Sequence, residues 1–227
     1  MLDKIKRLTV ISRPISWPNT AFPFGAAFLV TGGEISPLFW LGSLYFLVAY
    51  NLLMYGINDV FDYESDIQNP RKGGLEGAKE QKALHPLIII TAVATNLPFL
   101  IYLLTQGSVL ANLTLAIVVF FVIAYSAKGL RFKEIPVLDS ITSSLHFVGP
   151  MIYALVLTGF SSTYLPFVTA FFLWGMASHA FGAVQDIIPD RRGQLSSIAT
   201  VFGARATTRL VFMLYLAASI LLMTQGV

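Results

Sequence analysis

Half of the 12 acidic residues of this chain fall in two short stretches. The first is Asn58-Asp59-Val60-Phe61-Asp62-Tyr63-Glu64-Ser65-Asp66, followed by Asn69-Pro70-Arg71-Lys72-Gly73-Gly74; the second is Gln185-Asp186-Ile187-Ile188-Pro189-Asp190-Arg191-Arg192-Gly193. Asp59, Asp62 and Asp66 are spaced i, i+3, i+7, and Asn58 precedes Asp62 by four, so a helix would place these oxygens on one face. Asp186 and Asp190 likewise stand one turn apart. Stacked carboxylates repel one another and are costly near a membrane unless a cation lies between them. Mg²⁺ is the expected cation, because it takes oxygen ligands and is usually held by one or two carboxylates plus substrate phosphates. The expected metal ligands are therefore Asn58, Asp59, Asp62, Asp66, Asp186 and Asp190, with the five aspartates as the catalytic set. Two clusters suit a diphosphate, since cations on either side neutralise the leaving group as the C–O bond breaks. Arg71, Lys72, Arg131 and Lys133 are candidates to complete the clamp, their other use being to set topology. The implied chemistry is loss of diphosphate from an allylic carbon, then attack of the cation on an electron-rich acceptor in a dry pocket. Aromatic faces stabilise such a cation, and Tyr55, Phe61 and Tyr125 are candidates near the charged ends of apolar segments; interfacial packing is the commoner use of such rings.

The elements that must hold these residues are membrane helices. Hydrophobic residues make up 56% of the chain and charged residues 12%, against about a quarter charged in an average soluble domain. Apolar segments occur at approximately Trp17–Thr31, Leu38–Ile57, Leu87–Leu104, Val109–Ala127, Ile141–Leu157, Leu165–Val184 and Thr207–Met223, which predicts one all-α, multi-span bundle of about seven helices covering residues 1–227. The first segment is the shortest and contains Pro18 and Pro23. All 15 basic residues fall on one side of these segments, and so do all the acids except Glu34. By the positive-inside rule that side is cytoplasmic, in a multi-pass cell-membrane protein. The chain has no cysteine, which excludes disulfides, thiolate catalysis and Cys-ligated metals.

At the two acidic stretches the sequence resembles the UbiA superfamily of intramembrane prenyltransferases, whose motifs are N-D-x-x-D-x-x-x-D and D-x-x-x-D. Tyr125-Ser126 followed by Arg131 and Lys133 matches a further family feature after the fourth helix, and the likeness runs from about Ser12 to Arg209. Within the superfamily it is closer to enzymes that lengthen the C40 carotenoid lycopene to C45 and C50 products. The runs that carry this are Ser12-Arg13-Pro14-Ile15-Ser16-Trp17, Met54-Tyr55-Gly56-Ile57 leading into the first motif, Leu130-Arg131-Phe132-Lys133-Glu134 and Phe172-Leu173-Trp174-Gly175-Met176-Ala177-Ser178. The resemblance implies transfer of a dimethylallyl group from dimethylallyl diphosphate, with Mg²⁺, to lycopene within membrane lipid. No nucleic-acid partner is expected, and a homo- or hetero-oligomer is left open. Two departures stand out. Pro189 between Asp186 and Asp190 predicts a kink in the second metal face, and seven helices fall short of the nine usual in the family, so the last two are expected to be missing: either the chain is a truncated or divergent form, or an incomplete pocket is closed by lipid or another subunit.

After transfer to an alkene, the product cation must be quenched by water or by proton loss. His146 and His179 are candidates for the proton acceptor, and a helix-to-helix hydrogen bond is the plainer role of each, as it is for Asn51 and Asn96. No polar cluster within the spans would hold a phenolic acid, so a hydrocarbon acceptor fits. The alternatives are a UbiA-type enzyme acting on a quinone precursor, a chlorophyllide or an archaeal glycerol lipid. A retinal pigment would need a lysine within a span, and a transporter would gather ionisable groups near the midplane rather than at one interface.

Overall fold

In lipid a spanning segment must satisfy its own peptide groups, which restricts an apolar chain of this kind to helices. The computed structural model describes residues 2–67, 69, 72–73 and 78–226, and among the described residues there is helix and short turn but no strand. An N-terminal helix α1 (Leu2–Ile11) is followed by α2 (Trp17–Val30), with Pro18 in its first turn, where the missing N–H costs nothing. Helices α3 (Pro37–Leu44) and α4 (Tyr50–Phe61) are joined by a π-helical turn, Tyr45–Ala49, and α5 (Tyr63–Asp66) is a single turn beyond them. The bundle continues through α6 (His85–Gln106), α7 (Val109–Ser126), α8 (Leu138–Thr158), α9 (Leu165–Arg192) and α10 (Ile198–Met223).

All seven expected segments are helices. Six are long and apolar enough to cross a membrane, among them Pro37–Phe61 as one rod, and the chain is a multi-pass membrane protein. Helix α2 has 14 residues, about 21 Å, which is less than the ~30 Å hydrocarbon core. It is nonetheless built into the bundle, with buried Phe24 packed on Phe46 and Tyr153 at ring distances of 5.0 and 6.2 Å.

Polar side chains inside the bundle also tie the carbonyls of the π-helical turn, whose backbone bonds span five residues, as Tyr50 N to Tyr45 O does. Thr20 Oγ1 and Asn51 Nδ2 donate to the Phe46 carbonyl at 2.6 and 2.8 Å, and Asn96 Nδ2 donates to that of Ala49 at 2.7 Å. Asn51 and Asn96 thus link helices, as expected. Helix α8 packs against α2, α7 and α9. It meets α9 closely where Gly175 lies on Ser144: a Cβ on Gly175 would stand 3.0 Å from Ser144 Cβ, and Ser144 Oγ donates to the Phe172 carbonyl at 2.7 Å.

Hydropathy misplaces the last two boundaries. Helix α9 continues past Val184 to Arg192, and α10 begins at Ile198 instead of Thr207, because charged and polar residues such as Asp186, Asp190, Arg191, Arg192, Thr200 and Arg205 lower hydropathy without ending the helix. Helix α10 bends at Gly203 (φ 78°, ψ 161°). Arg205 and Arg209, expected with the charged loops, are exposed positions on α10 within two turns of this bend, where long side chains can reach back to the interface.

Candidate active site

Helix α4 stops at Phe61, and Asp62 adopts a non-helical φ −101°, ψ 0°. Backbone bonds from Asp62 N to Asn58 O (2.9 Å) and from Asp66 N to Asp62 O (2.8 Å) nevertheless carry the turn spacing across the break. Asn58, Asp62 and Asp66, four residues apart at each step, line one side of a cavity of about 280 Å³, and Asp186 and Asp190 of α9 line it as well. The structure thus brings five of the six expected metal ligands together. The kink expected at Pro189 does not break α9, which remains one helix to Arg192. Proline removes a single bond to the Gln185 carbonyl, a loss the neighbouring turns tolerate.

Asp59 is the residue not brought to the cavity. Its Oδ1 accepts from Arg13 Nη2 at 2.7 Å and its Oδ2 from Ala78 N at 3.2 Å, with only 3% of the residue exposed. Asp59 follows Asn58 in the same regular helix and so points about 100° round its axis, toward Arg13 of the N-terminal segment while Asn58 faces the cavity.

Of the four basic candidates, Lys72 and Lys133 line the cavity. Lys133 is ion-paired with Asp62, and Lys72 Nζ lies 3.7 Å from Asp66 Oδ2. Arg131 reaches Asp62 at 3.5 Å and donates from Nε to Glu134 at 2.7 Å; that bond raises its pKa and secures its charge. Arg71 lies outside the described residues. Burial pushes the Asp66 carboxyl above the ordinary carboxylate range, and Lys72 opposes the rise. Among the described residues Asp66 Oδ2 is buried without a hydrogen-bond partner, an acceptor that a bound cation would satisfy. The donor set is all oxygen, which suits a hard divalent ion. No three His, Cys, Asp or Glu groups among the described residues form a ready metal cage.

The aromatic candidates separate in the same way. Tyr125 lines the cavity, whereas Tyr55 lies under the Arg13 guanidinium, 4.1 Å from ring centre to Cζ, and Phe61 is 40% exposed and outside the cavity lining. His146 Nε2 faces the Phe121 carbonyl at 3.2 Å, linking α8 to α7. His179 lines the polar cavity and also an adjoining one of about 520 Å³ walled by Pro18, Phe22, Phe147, Phe171 and Trp174. A further apolar cavity of about 440 Å³ shares Phe22, Pro23 and Phe171 with the second and extends to Val30 and Tyr164. The polar cavity therefore adjoins, at His179, an apolar groove between α2 and α9, floored by α8.

Sequence reasoning about chemistry missed Arg13 and Asp139. Arg13 has a left-handed backbone (φ 51°), as does Arg131 (φ 43°), a conformation that costs a non-glycine residue roughly 1–3 kcal/mol and persists where the surroundings enforce it. Asp139 is fully buried, and its Oδ2 accepts from Ile198 N at 2.7 Å, fixing the start of α10 beside the cavity rim at Ser196 and Ser197. Its only sequence signal is a lone acid at the start of an apolar segment.

The chain is similar to known proteins in sequence and in fold. The UbiA prenyltransferase family profile matches residues 20–227. A protein from Corynebacterium glutamicum named lycopene elongase/hydratase is 52% identical over 99% of this chain and 79% of its own length. Another of that name, from Haloferax volcanii, is 32% identical over 90% of this chain and 68% of its own. Structures of a UbiA homolog from Archaeoglobus fulgidus, one bound to GPP and Mg²⁺ and one to DMAPP and Mg²⁺, each superpose with a TM-score of 0.74 at 20% identity, covering 94% of this chain and 75% of that one. The shared fold, the family match and the two aspartate motifs meeting at one cavity lead to the same conclusion: this chain belongs to the UbiA prenyltransferase family and is a membrane prenyltransferase.

Proposed function

We propose that the chain transfers dimethylallyl groups from dimethylallyl diphosphate to the ends of lycopene, giving C45 and C50 carotenoids, at a Mg²⁺-dependent site on the cytoplasmic side of the cell membrane. The observation that carries this reading is the junction of an acid-lined polar cavity with an apolar groove at His179. Asn58, Asp62, Asp66, Asp186 and Asp190 would hold the metal. When bound, Mg²⁺ supplies the positive charge that stabilises diphosphate as it departs.

The chain's own residues supply the rest. Lys72 and Lys133, now paired with Asp66 and Asp62, turn to diphosphate oxygens when the carboxylates are otherwise neutralised. The Tyr125 ring borders the place where the allylic cation forms. Among the described residues no Lys or Arg lines the apolar groove, so an acceptor with a carboxylate or phosphate would lack a counter-ion among them, whereas a hydrocarbon needs none. From Tyr164, just before α9, to His179 is 15 residue steps, about 22 Å, room for a long stretch of extended polyene. The names of the Corynebacterium and Haloferax relatives support the acceptor, and the ligands of the Archaeoglobus structures support an allylic diphosphate.

The test is to add dimethylallyl diphosphate and Mg²⁺ to membranes from lycopene-accumulating cells that express the chain. Carotenoids longer by one or two C5 units should form, and chelation of divalent ions should stop them. Unchanged lycopene beside a prenylated phenol or lipid would replace the acceptor. For orientation, reporter fusions after Phe132 and Arg192 should read cytoplasmic and those near Gly107 and Ser162 external, because the basic residues lie at one end of the spans.

A further inference from the structure

The geometry points to His179 as the base that takes the proton released when the product cation is quenched, with Tyr125 passing that proton to it. The inference rests on the proposed transfer to a polyene. It begins from a line of hydrogen bonds that leads away from the cavity: Tyr125 Oη to His179 Nε2 at 3.0 Å, His179 Nδ1 to Ser140 Oγ at 3.1 Å, and Ser140 Oγ to Asp139 Oδ1 at 3.2 Å. Tyr125 and His179 line the cavity, while Ser140 and Asp139 are fully buried behind them.

The donors assign the direction of this line. Asp139 accepts from the backbone N–H groups of Ser140 (2.6 Å) and Ile198 (2.7 Å) and also from the Ser140 hydroxyl. With its one proton given to Asp139, Ser140 Oγ accepts from His179 Nδ1–H. Nε2 then carries the lone pair, and the Tyr125 hydroxyl donates to it. The imidazole is held as a neutral base with its acceptor nitrogen turned, through Tyr125, toward the cavity. A proton gained at Nε2 places positive charge one hydroxyl away from the buried Asp139 carboxylate, which stabilises it.

The atoms balance without an oxidant or reductant. The acceptor's terminal π pair forms a C–C bond to C1 of the dimethylallyl cation and leaves a tertiary carbocation. In elimination, a neighbouring C–H bond breaks and its pair becomes the new C=C. In hydration, a solvent water forms the C–O bond and one of its O–H bonds breaks. Each route releases one proton. Tyr125 Oη takes it while its own proton moves to His179 Nε2. The position of His179 where the polar cavity and the apolar groove meet places the base beside both partners of the reaction. The other buried imidazole, His146, lines neither cavity and faces the Phe121 carbonyl.

The experiment measures two products in lycopene-loaded proteoliposomes supplied with dimethylallyl diphosphate and Mg²⁺: diphosphate released and elongated carotenoid formed. In His179→Gln and in Tyr125→Phe, carotenoid per diphosphate should fall by at least about tenfold, as expected for loss of a general base, with prenyl alcohol making up the difference. His146→Gln should hold the parent's ratio. Imidazole added to His179→Ala should restore part of the ratio, a response that a structural role would not give. An unchanged ratio in both His179→Gln and Tyr125→Phe, even with slower turnover, would assign the proton to a diphosphate oxygen and overturn the proposal. A parent chain that releases diphosphate but lengthens no polyene overturns the acceptor reading, and the relay with it.

Discussion

The two aspartate clusters reach one cavity by opposite means. At the first, the helix ends and the chain turns through a non-helical Asp62; at the second, α9 runs unbroken through Pro189. Their charge environments differ too. Asp59 pairs with Arg13, Asp62 with Arg131 and Lys133, and Asp66 with Lys72, and all three are at most 7% exposed. Asp190 takes a hydrogen bond from Ser197 at 3.4 Å and makes no ion pair among the described residues. The acids of the first cluster are therefore paired largely by the protein itself, whereas Asp190, in the proposed metal-dependent reaction, would depend more on the metal. Four polar groups of the first stretch thus divide into three that face the cavity and one that ties the N-terminal segment.

This contrast can be broken by substitution. Asp62→Asn removes the acid that faces the cavity and gathers two cations, so turnover at saturating Mg²⁺ should fall by about 10²–10³, the usual cost of losing such electrostatic stabilisation. Full activity in a correctly inserted Asp62→Asn protein would reduce the first cluster to a solvated face. Asp190→Asn should cost roughly 10²-fold by the same reasoning, and it should also raise the Mg²⁺ concentration needed for half-maximal diphosphate release more than Asp62→Asn does. An equal metal requirement in the two variants would erase the distinction between the clusters.

Asp59→Asn separates anchoring from metal binding. It leaves the Arg13 guanidinium, 13% exposed at its side chain, without its carboxylate, and stability should drop by roughly 1.5–3 kcal/mol, the worth of a hydrogen bond to a charged group. Thermal unfolding in detergent would measure this, and turnover of the folded fraction should fall less than in Asp62→Asn. A loss of turnover as large as that of Asp62→Asn, with unfolding unchanged, would return Asp59 to the metal. Glu64→Gln should have the smallest effect, within about twofold in activity, because this exposed side chain points outward to Lys82 and an exposed pair contributes little.

The N-D-x-x-D-x-x-x-D and D-x-x-x-D spacings made most of the site legible before any coordinates. A turn brings residues four apart to one side, and this holds for Asn58, Asp62, Asp66 and for Asp186 with Asp190 even where the helix itself ends. The same reasoning placed Asp59 with them, because spacing within one helix cannot register the distant Arg13 that takes its carboxylate. It also offered Tyr55, Phe61 and Tyr125 as equals and His146 beside His179, since all lie near span ends or within spans, and nothing local to those residues distinguishes a ring facing a cavity from one facing lipid, an arginine or a carbonyl.

What the sequence determined by itself was the class of environment: 56% hydrophobic residues with the charge gathered between apolar runs force a bundle of membrane helices, and stacked oxygens at helix ends call for a cation. What only the tertiary structure decided was which groups meet. Asp139 gained a role because α10 starts above it, Arg13 because its left-handed turn aims it at Asp59, and His179 because α9 passes between a polar cavity and an apolar groove. Helical periodicity acts within one element, over a few residues. The contacts that assign these roles join residues 46 and 59 positions apart in the chain, and their partners are set by how helices pack and where each one ends.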